Sequence, residues 1–480
     1  MAQKRSVFIS GGGPAGLAAA LLFDQMGWDE IVLAERRTSP SDFEKNKSFN
    51  YLVDLRGQRI LNRLGIGDRL PQYGVATTTF TATTIAADGT SKTRSVPIVD
   101  PNRPVCYWTT RRALLTMLYE AIQEKGSERL RVLYGHSVAG LERDESGQAS
   151  VRIRDREGTE TQISPDLILG CDGLNSAIRS ELEIQPEVPS GHFDMIAGDS
   201  ISAGLRYKVL NLPSRFTTKD GSTAVDDNRM SYIIPSRHKD RRKACNLFAF
   251  PVVDPSHPRS VNLIREGDHE LWTIKDGERL LEWLEDSFPQ LDIRQLIPRE
   301  EADDFVKLEA GAFPAPQYAK NLHFEFGEGE KMTQVLLIGD AAHAFPPDLG
   351  LGVNSALQDL EVFARHLDRT DNLAQAAKDY SEERLPESRD LAWMVAKTWP
   401  EQYAHRPFLL MLWALGFFGR WGMHKVVPKV FDKPAMLLSQ DPNMSFGEMR
   451  RRKLRTDIRY RGLVGGLLAL AIGGIALALR

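Results

Sequence analysis

Between residues 6 and 35 the chain spells out one unit that leaves few folds open. Ser6-Val7-Phe8-Ile9-Ser10 is a short β-branched and aromatic run, Gly11-Gly12-Gly13-Pro14-Ala15-Gly16 follows, and Leu17 to Phe23 carries a helical apolar pattern. A second apolar run, Ile31-Val32-Leu33-Ala34, ends at Glu35, 19 residues after Gly16. Strand, glycine turn, helix and strand make the βαβ unit of a parallel sheet. In G-x-G-x-x-G, Gly11 makes the tight turn, Gly13 lets a pyrophosphate approach the backbone, and Gly16 lets the helix pack on the strand; Pro14 and Ala15 complete the loop. Glu35 stands where a carboxylate accepts the hydroxyls of an adenosine ribose. That favours FAD or NAD(H) over a 2′-phosphorylated nucleotide at this position.

Two later stretches repeat the strand-then-acid pattern. Val335 to Ile338 reads as a buried strand, Gly339-Asp340 turns it, and a loop through Pro346 leads to a helix start at Gly350-Leu351-Gly352-Val353-Asn354. An acid at a strand end binds sugar hydroxyls, and glycines at a helix start let N–H groups approach an anionic ring or phosphate. A reduced flavin with its ribityl chain offers both. Upstream, Leu167-Ile168-Leu169 is followed by Gly170-Cys171-Asp172-Gly173 and a helix start that Asn175 or Ser176 caps. Asp172 and Arg179 are placed to organise the same crevice. Arg36 and Arg37, directly after Glu35, are further candidates for a phosphate or the flavin.

The rest of the chain sets the frame. Its 480 residues hold two or three domains, and the net charge of −3 with no basic stripe argues against a nucleic-acid surface. Cys106, Cys171 and Cys245 have no metal-ligand spacing, so no metal site is expected. Short alternating runs from about 193 to 329 indicate a mostly antiparallel sheet, and Phe408 to Phe418, too short to span a bilayer, reads as core of a C-terminal helical region or as an in-plane membrane contact, the core reading being favoured. The 18 uncharged residues Gly462 to Leu479 reach about 27 Å as a helix, against a hydrocarbon core of roughly 30 Å. Arginines crowd the near side, so the expectation is a transmembrane tail anchor with the catalytic body facing the cytoplasm. The expected fold class is α/β. A Rossmann-like FAD-binding domain takes 1–75, 104–185 and 331–370, and an antiparallel-sheet substrate domain takes 76–103 and 186–330. C-terminal helices take 371–460, and 462–479 is the transmembrane helix.

The three motifs, in this order, resemble those of the FAD-dependent aromatic hydroxylases, the single-component flavoprotein monooxygenases, and within them the kynurenine 3-monooxygenase branch. The resemblance covers nearly the whole chain. It implies Glu35 on the adenosine ribose, Arg111 near the flavin or its pyrophosphate, Asp172 and Gly173 serving both FAD and NADPH, and Asp340 on the ribityl chain. Leu351 to Asn354 would line the flavin's pyrimidine edge, with Pro346, Gly352 and Asn354 nearest the chemistry; His343 would hold its loop. The implied reaction joins NADPH, O₂ and an aromatic or apolar small molecule through a flavin C4a-hydroperoxide. A membrane-associated flavin epoxidase or isoprenoid reductase is the alternative. Kynurenine hydroxylases hold the substrate carboxylate with an arginine on the strand that here reads Ala82-Thr83-Thr84-Ile85, so a substrate other than kynurenine is expected. Ile98 stands for a tyrosine and Leu351 for the usual glutamine.

Overall fold

The computed structural model describes residues 4–42, 50–143, 147–328, 331–398, 403 and 406–478. Its central sheet has six strands in the order His323–Glu328, Lys331–Leu337, Leu167–Gly170, Ser6–Ser10, Glu30–Glu35, Leu130–Tyr134. The five strands from Lys331–Leu337 onward pair in parallel, and His323–Glu328 runs antiparallel at the edge. Parallel strands are covered on both faces and therefore read as continuous apolar runs. Val7 to Ile9, Ile31 to Ala34, Leu167 to Leu169 and Val335 to Leu337 are all buried accordingly. The helix Pro14–Gln25 lies on this sheet with proline in its first turn, where a missing N–H costs no hydrogen bond. The α/β FAD-binding fold read from the sequence is present.

Strand order positions the site. Ser6–Ser10, Leu167–Gly170 and Lys331–Leu337 are neighbours, so the turns that follow them emerge side by side at the carboxyl ends. Open α/β sheets bind ligands in the crevice at that edge.

A second sheet of seven strands runs from Gly311–Ala312 through Arg206–Leu212, Arg259–Arg265, Asn246–Ala249 and Ser231–Pro235 to Thr81–Ile85 and Ser91–Ser95. It is antiparallel apart from the pairing of Ser231–Pro235 with Thr81–Ile85. Helices Gly277–Ser287 and Arg299–Lys307 share its core with Leu210, Leu247 and Val261.

The C-terminal region is tied back through Arg56. This side chain is fully buried; it pairs with Asp54 at 2.7 Å, donates to the Asp441 carbonyl at 2.5 Å and lies 5.2 Å over the Phe446 ring. The expected membrane span over 462–479 is overturned: among the described residues no helix is long and apolar enough to cross a membrane. The apolar stretch is the end of one helix, Phe446–Ala478, whose first half is charged and docked. There Phe446 and Met449 are buried, Arg450 meets Asp390 at 2.6 Å and Arg455 meets Asp432 at 2.9 Å. Gly462, Gly465, Gly466, Gly473 and Gly474 thin the rest, and side chains 467–468 and 473–480 lie outside the described residues. The tail anchor, and the location that rested on it, fall together. Reading Phe408 to Phe418 as core also needs correction. In the helix Pro407–Val426 the side chains of Phe408, Leu410, Met411, Leu412, Leu415 and Phe418 are exposed, while Phe417 is buried.

Candidate functional site

The first turn is shaped by its glycines. Gly11 has φ +99°, and a Cβ there would lie 2.6 Å from the Cys171 carbonyl oxygen and 2.8 Å from the Asp172 Cα, so the first and second turns touch. A Cβ on Gly16 would run into the Gly11 carbonyl, whereas one on Gly13 would meet nothing within 4 Å. Gly13 therefore borders open space.

Glu35 is buried beside this turn. It accepts from the Gly12 N–H at 2.6 Å and the Arg37 N–H at 2.9 Å, and the Arg37 Nε lies 3.2 Å from it. Burial works against its charge, but the Arg37 guanidinium and these N–H donors outweigh burial and hold the carboxyl below its ordinary value. Arg37 also donates to the Gly12 carbonyl at 2.7 Å, and its Nη1 is buried with no hydrogen-bond partner among the described residues. Just past the end of the strand at Glu35, Arg36 is exposed and Arg37 is buried. Of the two arginines after Glu35, Arg37 is the one the first turn gathers.

In the second turn Asp172 accepts from Ser10 Oγ at 3.1 Å and from the N–H groups of Ala177 and Ile178 at 2.8 and 3.1 Å. Ser176 caps the same helix, Ala177–Glu183, by accepting from the Arg179 N–H at 3.0 Å. The second oxygen of Asp172 is buried without a described partner, and Gly173 at φ +82° faces open space. Arg179 donates to the Ala341 carbonyl at 2.7 Å and to the Leu174 carbonyl at 2.8 Å, which ties the second turn to the third.

The third turn hangs on a residue that the sequence presents only as helix continuation. Asp359, fully buried, accepts from the Gly339 N–H at 2.8 Å, pairs with His343 Nε2 at 2.8 Å and accepts from Arg384 Nε at 2.7 Å. Arg384 also reaches Ser355 Oγ at 3.1 Å. His343 thus holds its loop. Asp340, next to the anchored Gly339, is solvent-exposed yet crowded: surrounding protein pushes its carboxyl above the ordinary value, against the pull of His343 and Arg111. An exposed but desolvated acid is the mark of a cleft wall. Tyr51 completes this wall; burial pushes its phenol up to about 12 even though Arg111, to which it is hydrogen-bonded, pulls the other way.

Gly350, at φ +65°, turns the chain into the 16-residue helix Gly352–Leu367, with Leu351 at its cap and Pro346 buried in the loop before it. The N–H groups of Gly352, Val353 and Asn354 belong to the first turn and have no intrahelical acceptor. The Asn354 side chain faces away from this opening. It donates to the Leu52 and Gly350 carbonyls at 2.8 and 3.1 Å and accepts from the Asp54 N–H at 2.9 Å. It is a clamp between helix start and strand Asn50–Val53.

Known proteins give this geometry its context. A kynurenine 3-monooxygenase of Stenotrophomonas maltophilia (strain K279a) is 27% identical over 401 residues, covering 83% of this chain and 79% of that protein. Kynurenine 3-monooxygenase of Sus scrofa is 24% identical over 406 residues, covering 84% and 77%. The tetrameric form of 2-methyl-3-hydroxypyridine-5-carboxylic acid oxygenase shares the fold, with a TM-score of 0.56 at 18% identity over 82% of this chain and 90% of that one. The family model described as FAD binding domain matches residues 4–393, which include all three turns and the Asp359–Arg384 anchor. The chain belongs to that family, among its FAD-dependent aromatic monooxygenases.

Proposed function

We propose that the protein hydroxylates an aromatic or apolar small molecule with O₂, using NADPH as reductant and FAD held across the three turns. The observation that carries this reading is the meeting of three distant loops around one cleft bearing unfilled polar atoms. Arg37 Nη1 and an oxygen of Asp172 have no described partner, and Asp340 is exposed between crowded walls. Open space beside Gly13, Gly173, Gly350 and Gly352 fits a long ligand lying against backbone.

Bound FAD supplies hydride acceptance and oxygen activation. In this reading Glu35 accepts from the ribose, Arg37 and Gly13 meet the pyrophosphate, and Asp340 accepts from the ribityl hydroxyls. Arg111 balances charge beside Asp340. The free N–H groups of Gly352 to Asn354, at the positive end of a helix dipole, stabilise negative charge on the ring. Asn354 contributes through backbone position, because its side-chain atoms are already bonded. Pro346 walls the loop and helps exclude water.

Substrate choice follows from what the strand Thr81–Ile85 lacks. On strand Thr81–Ile85, Thr83 bonds Thr93 hydroxyl to hydroxyl at 2.8 Å, and no residue of that strand is cationic. A kynurenine carboxylate relying on that strand's own side chains would be unpaired, at a cost on the order of several kcal/mol. The substrate in this reading carries no carboxylate at that end. The test is a screen of aromatic compounds for stimulation of NADPH oxidation, with products weighed. A gain of one oxygen is expected; an oxygen-independent gain of two hydrogens would overturn the hydroxylase reading.

A further inference from the structure

Four large aromatic side chains meet in a closed circuit at the junction of two sheets. Phe80 stacks on Phe248 (centroids 6.0 Å apart, planes at 9°), and Phe248 meets Phe250 at 4.5 Å. Phe250 meets Trp108 at 5.3 Å, and Trp108 returns to Phe80 at 6.5 Å. Trp108 lies on the strand Cys106–Thr110 beside the nucleotide domain, while Phe248 belongs to the seven-stranded sheet. Aromatic residues of this size normally anchor a core. These four do not: each remains partly exposed, and none belongs to the buried hydrophobic clusters among the described residues. Four rings, uncharged and partly exposed, meet where two sheets join, and small-molecule sites concentrate between domains.

The wall is continuous with the cofactor cleft. Trp108 is the cross-strand partner of Leu52, and the Leu52 carbonyl accepts from Asn354 at the helix start 2.8 Å away. The ring circuit therefore stands one strand pair from the backbone donors assigned to the flavin.

We propose that Phe80, Trp108, Phe248 and Phe250 form the docking wall for the ring system of an uncharged, planar aromatic substrate. The proposal rests on the monooxygenase reading above and narrows its substrate class. Edge and face contacts with four rings select for a flat ring system, and the neighbouring cations are engaged by backbone, Arg103 donating to the Thr79 carbonyl at 3.3 Å and Arg259 to the Phe250 carbonyl at 3.1 Å.

The test uses FAD-loaded protein and 2-naphthol, an uncharged two-ring probe, with anthranilate as its anionic counterpart. Binding is followed by perturbation of the flavin absorption spectrum, and FAD content is measured for every variant. 2-Naphthol should bind saturably and more tightly than anthranilate. Trp108→Ala should raise its dissociation constant about tenfold, with Trp108→Phe restoring most of the affinity. Phe248→Leu, which keeps apolar volume, guards against a folding artefact and should weaken binding several-fold. Unchanged naphthol affinity in FAD-replete Trp108→Ala and Phe248→Leu protein would overturn the wall, as would a preference for anthranilate. Naphthol binding that depends on Trp108 without any NADPH-driven oxygen consumption would instead sink the monooxygenase reading and leave the wall standing.

Discussion

Replacing Asp359 with alanine deprives three buried donors of their acceptor at once. The Gly339 N–H, His343 Nε2 and Arg384 Nε all lie within 2.7–2.8 Å of this carboxylate, and Arg384 and His343 are each 1% exposed. Breaking a buried ion pair from one side costs about 3–5 kcal/mol, and an orphaned buried N–H about 1–3 kcal/mol. The losses overlap, because Ser355 still accepts from Arg384. The expected destabilisation is therefore about 4 kcal/mol, read from urea unfolding followed by tryptophan fluorescence. Asp359→Asn, which keeps an acceptor for Gly339, should lose roughly half as much. The effect carries a pH signature. Burial raises the Asp359 carboxyl, but His343 and Arg384 outweigh it and hold the group below its ordinary 3.8. Its stabilisation is thus fully present above pH 3.8 and lost as pH falls through the lower folded value, a step that Asp359→Ala should lack. An alanine variant within about 0.5 kcal/mol of the parent would refute the idea that this network holds the third turn.

Other perturbations probe the same frame. Arg179→Ala unties the second and third turns and should weaken FAD binding about tenfold, measured by quenching of flavin fluorescence; unchanged affinity would remove Arg179 from the site. Asn354→Ala leaves the Asp54 N–H and the Leu52 carbonyl unmatched and should cost about 1–3 kcal/mol in urea unfolding. Arg63→Ala serves as a control. Its pair with Asp368 is solvent-exposed, so the loss should stay below about 1 kcal/mol, and a larger one would mean that surface pairs matter more here than assumed.

The three turns were legible because glycine and acid positions after an apolar strand are local facts, visible in a few adjacent residues. Parallel strand order then brings the turns together. Asp359 and Arg384 were not legible for the opposite reason. One sits in an ordinary amphipathic helix and the other in the charged run Ser381-Glu382-Glu383-Arg384, and neither shows from neighbouring residues that it is buried against the other. Arg37 was named together with Arg36, but nothing in the adjacent residues shows which of the two is buried beside Glu35. Asn354 was located correctly beside the helix start, but its side-chain bonds run to a strand some 300 positions upstream, which no local pattern reveals. The tail misled because its apolar length and basic flank say nothing of how the helix that contains them packs. Apolar length suggested a span, whereas the helix that contains it begins in charge and packs against the body. Phe408 to Phe418 misled in the same way, since apolar content says nothing about which side chains find a partner.

The central claim is that a single FAD lies along the cleft between these turns, and Gly13 offers the cleanest test. Its φ of −76° suits any residue, and an added Cβ would touch no protein atom within 4 Å, so Gly13→Val should leave the fold and its thermal midpoint unchanged. Titrating FAD into apo-protein should then show saturable binding by the parent and an affinity about tenfold or more weaker in the variant, because the valine occupies space reserved for the pyrophosphate. Equal FAD binding by parent and variant would contradict the account.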